Sequence, residues 1–245
     1  MKIKSYAKLN LTLEIERKNS NGFHEIFGIF QNISLFDEIK IKESKIDSVS
    51  INTAAISQEN NIAFKALKLL KNEMGIKNSF FIDIKKNIPI SSGLGGGSSN
   101  AAAIIYGLNN MLSLNLSMEE MVSLSKKIGS DIAFFYTGGT CLVSGFGDKV
   151  EKLNNLIVED FNLFYLPINM KNKTKEMYNL LSIKNFTDGK KTSDLKKYIS
   201  NSQKIDPGNF HNVFFDIAKL NFNNIKIYSD EMMNIFNNCS LSGAG

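Results

Sequence analysis

The chain has 245 residues, 43% of them hydrophobic and 22% charged, an ordinary globular composition that allows a sizeable core and one or two domains. The net charge of +5 comes almost wholly from lysine, with Arg17 the one arginine; this suits a polyanionic substrate, and the lack of a basic block argues against nucleic acid. No apolar stretch approaches a membrane span and no apolar run follows Met1, so neither a membrane segment nor a signal peptide is expected. Cys141 and Cys239 lie far apart without metal-ligand spacing, and read as buried free thiols of a cytoplasmic protein.

Residues 3–16 alternate, with Ile3, Leu9, Leu11, Leu13 and Ile15 apolar, which predicts a half-buried strand. A turn at 18–22 precedes a second strand at 26–35, a third at 38–41 and a short fourth at 49–52. Ile62, Ala63, Ala66, Leu67, Leu70 and Met74 share one helix face, with Asn60 or Asn61 placed to cap it. Residues 80–84 read as a strand that feeds a glycine-rich loop and then a helix from Ser99 to about Leu112. Ser117 to Glu120 has capping-box spacing for a further helix, which Gly129-Ser130-Asp131 breaks. Residues 140–144 and 149–153 suggest a hairpin. Beyond it come a strand at 161–166 ended by Pro167, a helix within 171–181, a helical piece near 194–200, and helices at 210–220 and 227–236. His211 has no motif around it and reads as structural.

The loop itself runs Pro89-Ile90-Ser91-Ser92-Gly93-Leu94-Gly95-Gly96-Gly97-Ser98-Ser99, followed by Asn100 and an alanine run. Glycines let N–H groups converge and a ligand approach closely, and Ser98 or Ser99 can cap the helix behind them. A loop of N–H groups at a helix N-terminus binds anions, above all phosphate. No Gly-Lys-Ser/Thr closes it, so it is not a P-loop, and Ser98 stands where the dinucleotide fingerprint needs its third glycine.

The string from Pro89 through Ala102 resembles the ATP-binding motif of the GHMP kinases. Its triple-glycine version is most similar to the members that act on 4-diphosphocytidyl-2-C-methyl-D-erythritol. Further likenesses follow in order: Ala7-Lys8-Leu9-Asn10-Leu11, Asn21-Gly22-Phe23-His24-Glu25, residues 128–135 around Gly129-Ser130-Asp131, residues 173–178 ending in Tyr178, and residues 241–245. The fold implied is α+β and two-domain. Residues 1–155 would be an N-terminal domain like ribosomal protein S5 domain 2. Residues 156–245 would be a ferredoxin-like C-terminal domain, with ATP in the cleft.

The resemblance implies transfer of the ATP γ-phosphate to the substrate's 2-hydroxyl, a step of non-mevalonate isoprenoid precursor synthesis. It makes Asp131 the general base and Lys8 its partner, and it assigns the loop from Pro89 to Ser99 to the ATP phosphates. Asn61 would reach the adenine, although a helix cap is an equal reading. Asn10 would touch substrate, Phe23, Phe30 and Tyr178 would surround the cytosine, and His24 would read its edge. Phe23 replaces a usual tyrosine, which keeps the stacking face and loses a hydroxyl. Mg²⁺ is expected with ATP, without assigned protein ligands. Alternatives are another GHMP small-molecule kinase, such as a homoserine kinase, or a catalytically silent nucleotide-binding protein. The resembled family continues past its last motif by a strand and a helix, about 30 residues, so these 245 residues are expected to be an incomplete chain.

Overall fold

The computed structural model describes residues 1–53, 57–156, 160–166, 173–203, 205–236 and 238–244. They divide into two compact units. The first comprises residues 1–8, 32–90 and 95–138, the second residues 9–31, 91–94 and 139–245. Two long strands, β1 (Lys2–Lys18) and β2 (His24–Ser44), contribute to both.

In the first unit, β4 (Ser79–Lys85) pairs antiparallel with β2, setting Ile39 opposite Ile84 and Ile41 opposite Ile82. β3 (Ser48–Ile51) runs parallel to β4 on its other side. Phe80, Ile82 and Ile84 alternate onto one face and are at most 1% exposed. Two helices cover that face, α1 (Ile62–Met74) and α2 (Gly96–Met111), through Ala66, Leu67, Leu70, Ile104, Ile105 and Leu108. The Asn61 side chain caps α1 by accepting from Ala63 N at 2.9 Å, and Gly75 ends it at φ 64°. Helix α3 (Met118–Ser125) begins with the expected capping box of Ser117 and Glu120. Ile128 lies beyond its end. A short helix that the sequence did not suggest, α4 (Ile132–Thr137), follows Asp131.

In the second unit, β2 pairs antiparallel with β5 (Thr140–Gly145), from Ile26 opposite Gly145 to Gln31 opposite Thr140. β6 (Lys149–Lys152) completes the expected hairpin. β7 (His211–Asn212) lies parallel to β1 beside Thr12 and Leu13. The helices are α5 (Lys173–Asn179), α6 (Lys190–Ser200), α7 (Val213–Asn221) and α8 (Asn223–Phe236). Among the described residues, no helix is long and apolar enough to cross a membrane.

Four expectations are corrected. The strands expected at 26–35 and 38–41 are one, β2, because Asp37 between them turns its side chain to other partners without interrupting the backbone. Helix α2 starts within the glycines rather than at Ser99, since Gly95 takes the N-cap position at φ 70° with no side-chain bond. Residues 161–166 are not a strand; Phe161 and Phe164 are instead held by ring contacts to Phe210 and Phe236. Pro167 and Gly245 lie outside the described residues. Finally, β1 is not half-buried: its polar residues Lys8, Asn10, Thr12 and Glu14 are at most 5% exposed. Glu14 accepts from Thr192 N at 2.8 Å and the Thr192 hydroxyl donates to that of Thr12 at 2.9 Å, so these two buried side chains find their partners inside the protein.

A Cβ at Gly28 would stand 2.4 Å from the Thr12 carbonyl oxygen, on backbone that cannot yield. Gly28→Ala should therefore destabilise the protein by about 1–3 kcal/mol. Urea unfolding checks it; an unchanged midpoint would mean that β1 and β2 part easily there.

Candidate active site

The site begins at the glycine loop. Gly95 needs its positive φ of 70°, and its missing side chain leaves room for its neighbours: an added Cβ would stand 2.7 Å from Phe135 Cζ and 3.1 Å from Lys8 Cγ. At Gly97 an added Cβ would meet Ile62 Cδ1 at 3.2 Å. Ser98 and Ser99 lie inside the first turn of α2 and do not cap it. Ser99 donates to the Tyr6 carbonyl at 2.7 Å and accepts from the Ser5 hydroxyl at 2.7 Å, which ties the start of α2 to the strand that carries Lys8. The free N–H groups of a 16-residue helix thus open at Gly96 and Gly97, a geometry suited to an anion.

Lys8 is 3% exposed. Burial pulls its ammonium down from 10.5 to about 8, and the Asp131 carboxylate opposes that shift. The two therefore sit within electrostatic reach of each other in one unit. Asp131 itself is exposed, at the N-terminus of α4, and its side chain makes no capping bond there. An exposed carboxylate beside a buried ammonium can accept a proton from a bound hydroxyl while the cation meets the charge that develops.

In the second unit, Gly93 at φ 75° packs against the turn at 242–243, where an added Cβ would stand 2.0 Å from the Ser242 carbonyl oxygen. That turn is latched twice. Asn10 Oδ1 accepts from Gly243 N at 2.7 Å, and Asn212 Nδ2 donates to the carbonyls of Leu241 at 2.7 Å and Gly243 at 2.8 Å. Asn10 is 5% exposed, so the structure shows it holding this turn. Lys173 Nζ donates to the Ser91 carbonyl at 3.3 Å, with burial lowering its pKa. Ser91 adopts φ 56°, unusual for a residue with a side chain. The sequence did not single out Asn212, and it placed Lys173 in the 173–178 motif without giving it a role. Asn212 follows His211 in a two-residue strand, too short to leave a periodic signal.

The aromatic candidates separate. The His24 ring lies 5.3 Å from Tyr178 and 6.1 Å from Phe186, and Tyr178 is 4.8 Å from Phe214. Burial first, and Lys18 second, lower the His24 pKa, which favours the neutral imidazole with one donor and one acceptor nitrogen. Phe23 is 67% exposed, edge-on to Phe146 at 6.2 Å, and so has an open face. Phe30 is 2% exposed and offers no open face in this arrangement. Asn61 is seen as the cap of α1.

Comparison with known proteins places this geometry in a family. Residues 61–139 match the GHMP kinases N terminal domain. The 4-diphosphocytidyl-2-C-methyl-D-erythritol kinase of Carboxydothermus hydrogenoformans is 37% identical over 232 residues, 94% of this chain and 80% of that protein. The chain belongs to the 4-diphosphocytidyl-2-C-methyl-D-erythritol kinase family. A relative of the same name from Caldicellulosiruptor saccharolyticus is 45% identical over 158 residues, 63% of this chain and 54% of the relative, so the matched stretch spans about half of that protein. A crystal structure titled 4-(cytidine 5'-diphospho)-2C-methyl-D-erythritol kinase superposes with a TM-score of 0.74 at 21% identity, covering 96% of this chain and 83% of that one. A homoserine kinase from Cytophaga hutchinsonii gives 0.62 at 16%, covering 100% and 82%. These superpositions show the GHMP kinase fold.

The Lys8 shift makes a prediction for this member of the kinase family. With a folded pKa of about 8 against 10.5 unfolded, the folded state binds fewer protons between those values. Stability should then rise with pH across that window, and the penalty is complete below it. Lys8→Met should abolish the rise, as read by urea unfolding at pH 7.5 and pH 10. Asp131→Asn removes the opposing charge and should push the Lys8 pKa lower still. A ¹⁵N-lysine titration showing no change would separate the two residues.

Proposed function

We propose that this chain transfers the γ-phosphoryl group of ATP to the 2-hydroxyl of 4-diphosphocytidyl-2-C-methyl-D-erythritol, a step of non-mevalonate isoprenoid precursor synthesis. The observation that carries the reading is the Lys8–Asp131 pair, in the same unit as a helix that starts inside the glycines. In the proposed step the hydroxyl oxygen bonds to the γ-phosphorus as the bond to the ADP oxygen breaks, and the hydroxyl proton passes to Asp131. Lys8 holds the charge of the developing alkoxide. The residues from Pro89 to Ser99 hold the phosphates, with the α2 N-terminus as their main electrostatic contribution.

The cytosine stacks on Phe23 and Tyr178, and neutral His24 offers it one donor and one acceptor. Phe30 backs this pocket as packing. Asn10 acts on the substrate side by fixing the turn at 242–243, and Asn61 borders the adenine from its place at the α1 cap. The exposed ring of Phe23 and the His24–Tyr178 pair favour a nucleotide-linked alcohol over a small amino-alcohol such as homoserine.

Among the described residues no group of three or more His, Cys, Asp and Glu side chains could hold a metal ion. Mg²⁺ brought by ATP would neutralise charge on the phosphates. The free thiols Cys141 and Cys239 suit a reducing cytoplasm. The common fold supports reading residues 1–155 as the S5-like N-terminal domain and 156–245 as the ferredoxin-like one. Among the described residues of the latter, β7 is the one strand.

ADP release from the purified 245-residue protein, given a panel of alcohols with ATP, tests the reading. Turnover with the cytidine-linked alcohol and not with homoserine is expected. Asp131→Asn should lower turnover about 100- to 10,000-fold while calorimetry shows ATP still bound. Retained turnover would remove Asp131 from the mechanism. Tyr178→Ala should weaken binding of the alcohol by about 1–3 kcal/mol and leave ATP affinity alone. Equal turnover of cytidine- and uridine-linked substrates would overturn the claim that the base is read.

A further inference from the structure

Asp37 lies in the middle of β2, away from every motif that the sequence offered, yet it is fully buried. Its two carboxylate oxygens serve four donors. Oδ1 accepts from the backbone N–H groups of Asn87 at 2.8 Å and Ile88 at 2.9 Å. Oδ2 accepts from Asn100 Nδ2 at 2.9 Å and from the Lys86 ammonium. Lys86 in turn donates to Asn100 Oδ1 at 3.1 Å, closing a ring of three side chains.

The position of these donors in the chain matters. Lys86, Asn87 and Ile88 immediately precede the phosphate loop, and Asn100 immediately follows it, just past the first turn of α2. One buried carboxylate therefore fastens both ends of the segment from Pro89 to Ser99. A plain structural role for a buried aspartate would be met by any donors nearby; here every donor flanks one loop. Lys86 adds a constraint at the helix start, since its Nζ lies 3.1 Å from where a Cβ on Gly96 would stand.

We propose that Asp37, with Lys86 and Asn100, is a positioning residue for nucleotide binding: it pre-sets the phosphate loop so that little conformational entropy is lost when ATP arrives. This rests on the ATP-dependent reading above. A loop with both ends pinned samples fewer shapes, and N–H groups that already converge bind an anion without reorganising. Breaking the clamp should cost ATP affinity and spare both the alcohol pocket and the chemical step.

Asp37→Asn puts an amide among donors and removes the charge that Lys86 meets. Asn100→Ala cuts the exit tether, along with the Asn100 bonds to Lys86 and Ser5, and leaves Asp37 its bonds to Lys86, Asn87 and Ile88, so it carries the test if the first variant fails to fold. Two measurements are made on the full chain. Hydrogen exchange without nucleotide should speed up at the amides of residues 87–99 and stay unchanged in α1 and β4. Steady-state kinetics should show the ATP KM raised about tenfold or more, kcat within about threefold, and the alcohol KM unmoved. Equal ATP KM in the variants, or exchange that rises evenly across α1 and β4, overturns the proposal and leaves the kinase reading standing. Failure of the unmodified protein to bind ATP would overturn both.

Discussion

Gly95 is the point on which the first unit turns. It must hold a left-handed backbone, and it must do so without a side chain, because Phe135 and Lys8 already occupy that space. One residue thus sets three things together: where α2 begins, how closely α4 approaches it, and where the stem of Lys8 runs. Phe135 belongs to α4, whose first residue follows Asp131. The packing that demands a glycine is the same packing that brings Asp131, Lys8 and the helix terminus into one unit. A side chain at Gly95 would disturb Lys8 before it obstructed any ligand.

Burying Lys8 is costly for an ammonium, and burial lowers its pKa accordingly. The strand around it tolerates polar residues because each has partners arranged for it. Ser5 is bonded to Ser99, Thr12 to Thr192, Glu14 to the Thr192 N–H, and Asn10 to Gly243. β1 is a polar strand inside the protein, and its hydrogen bonds reach loop, helix and C-terminal turn. Such networks are costly when half satisfied and specific when complete.

The second unit solves a related problem with backbone. Gly93 lies so close to the turn at 242–243 that neither it nor Gly243 has room for a Cβ. Asn10 and Asn212, more than two hundred residues apart, supply the bonds that hold this turn, and Lys173 steadies the carbonyl of Ser91. In the same unit His24 and Tyr178 are brought together from a strand and a helix.

Local patterns carried much of this from the sequence alone. The alternation of β4, the apolar stripe of α1, the Ser117 capping box and the Gly145–Gly147 hairpin depend on neighbours in the chain, and periodicity and capping chemistry read such neighbours directly. The family was legible through a string of motifs in order, among them the glycine loop and the segments around Lys8 and Asp131. What stayed hidden depends on distance in the chain. β1 was read as half-buried, because alternation cannot show what covers the second face. Phe30 and Phe23 look alike in sequence, yet one is buried and the other open. Asp37 carried no signal, since its four donors lie about fifty or more residues away. The sequence by itself determined β4, α1, the capped start of α3 and the β5–β6 hairpin, because those follow from local sterics and hydrogen bonding. Only the tertiary structure decided which polar side chains are buried, which aromatic rings stay open and which carboxylate clamps the loop, because burial and partnership arise when distant segments pack.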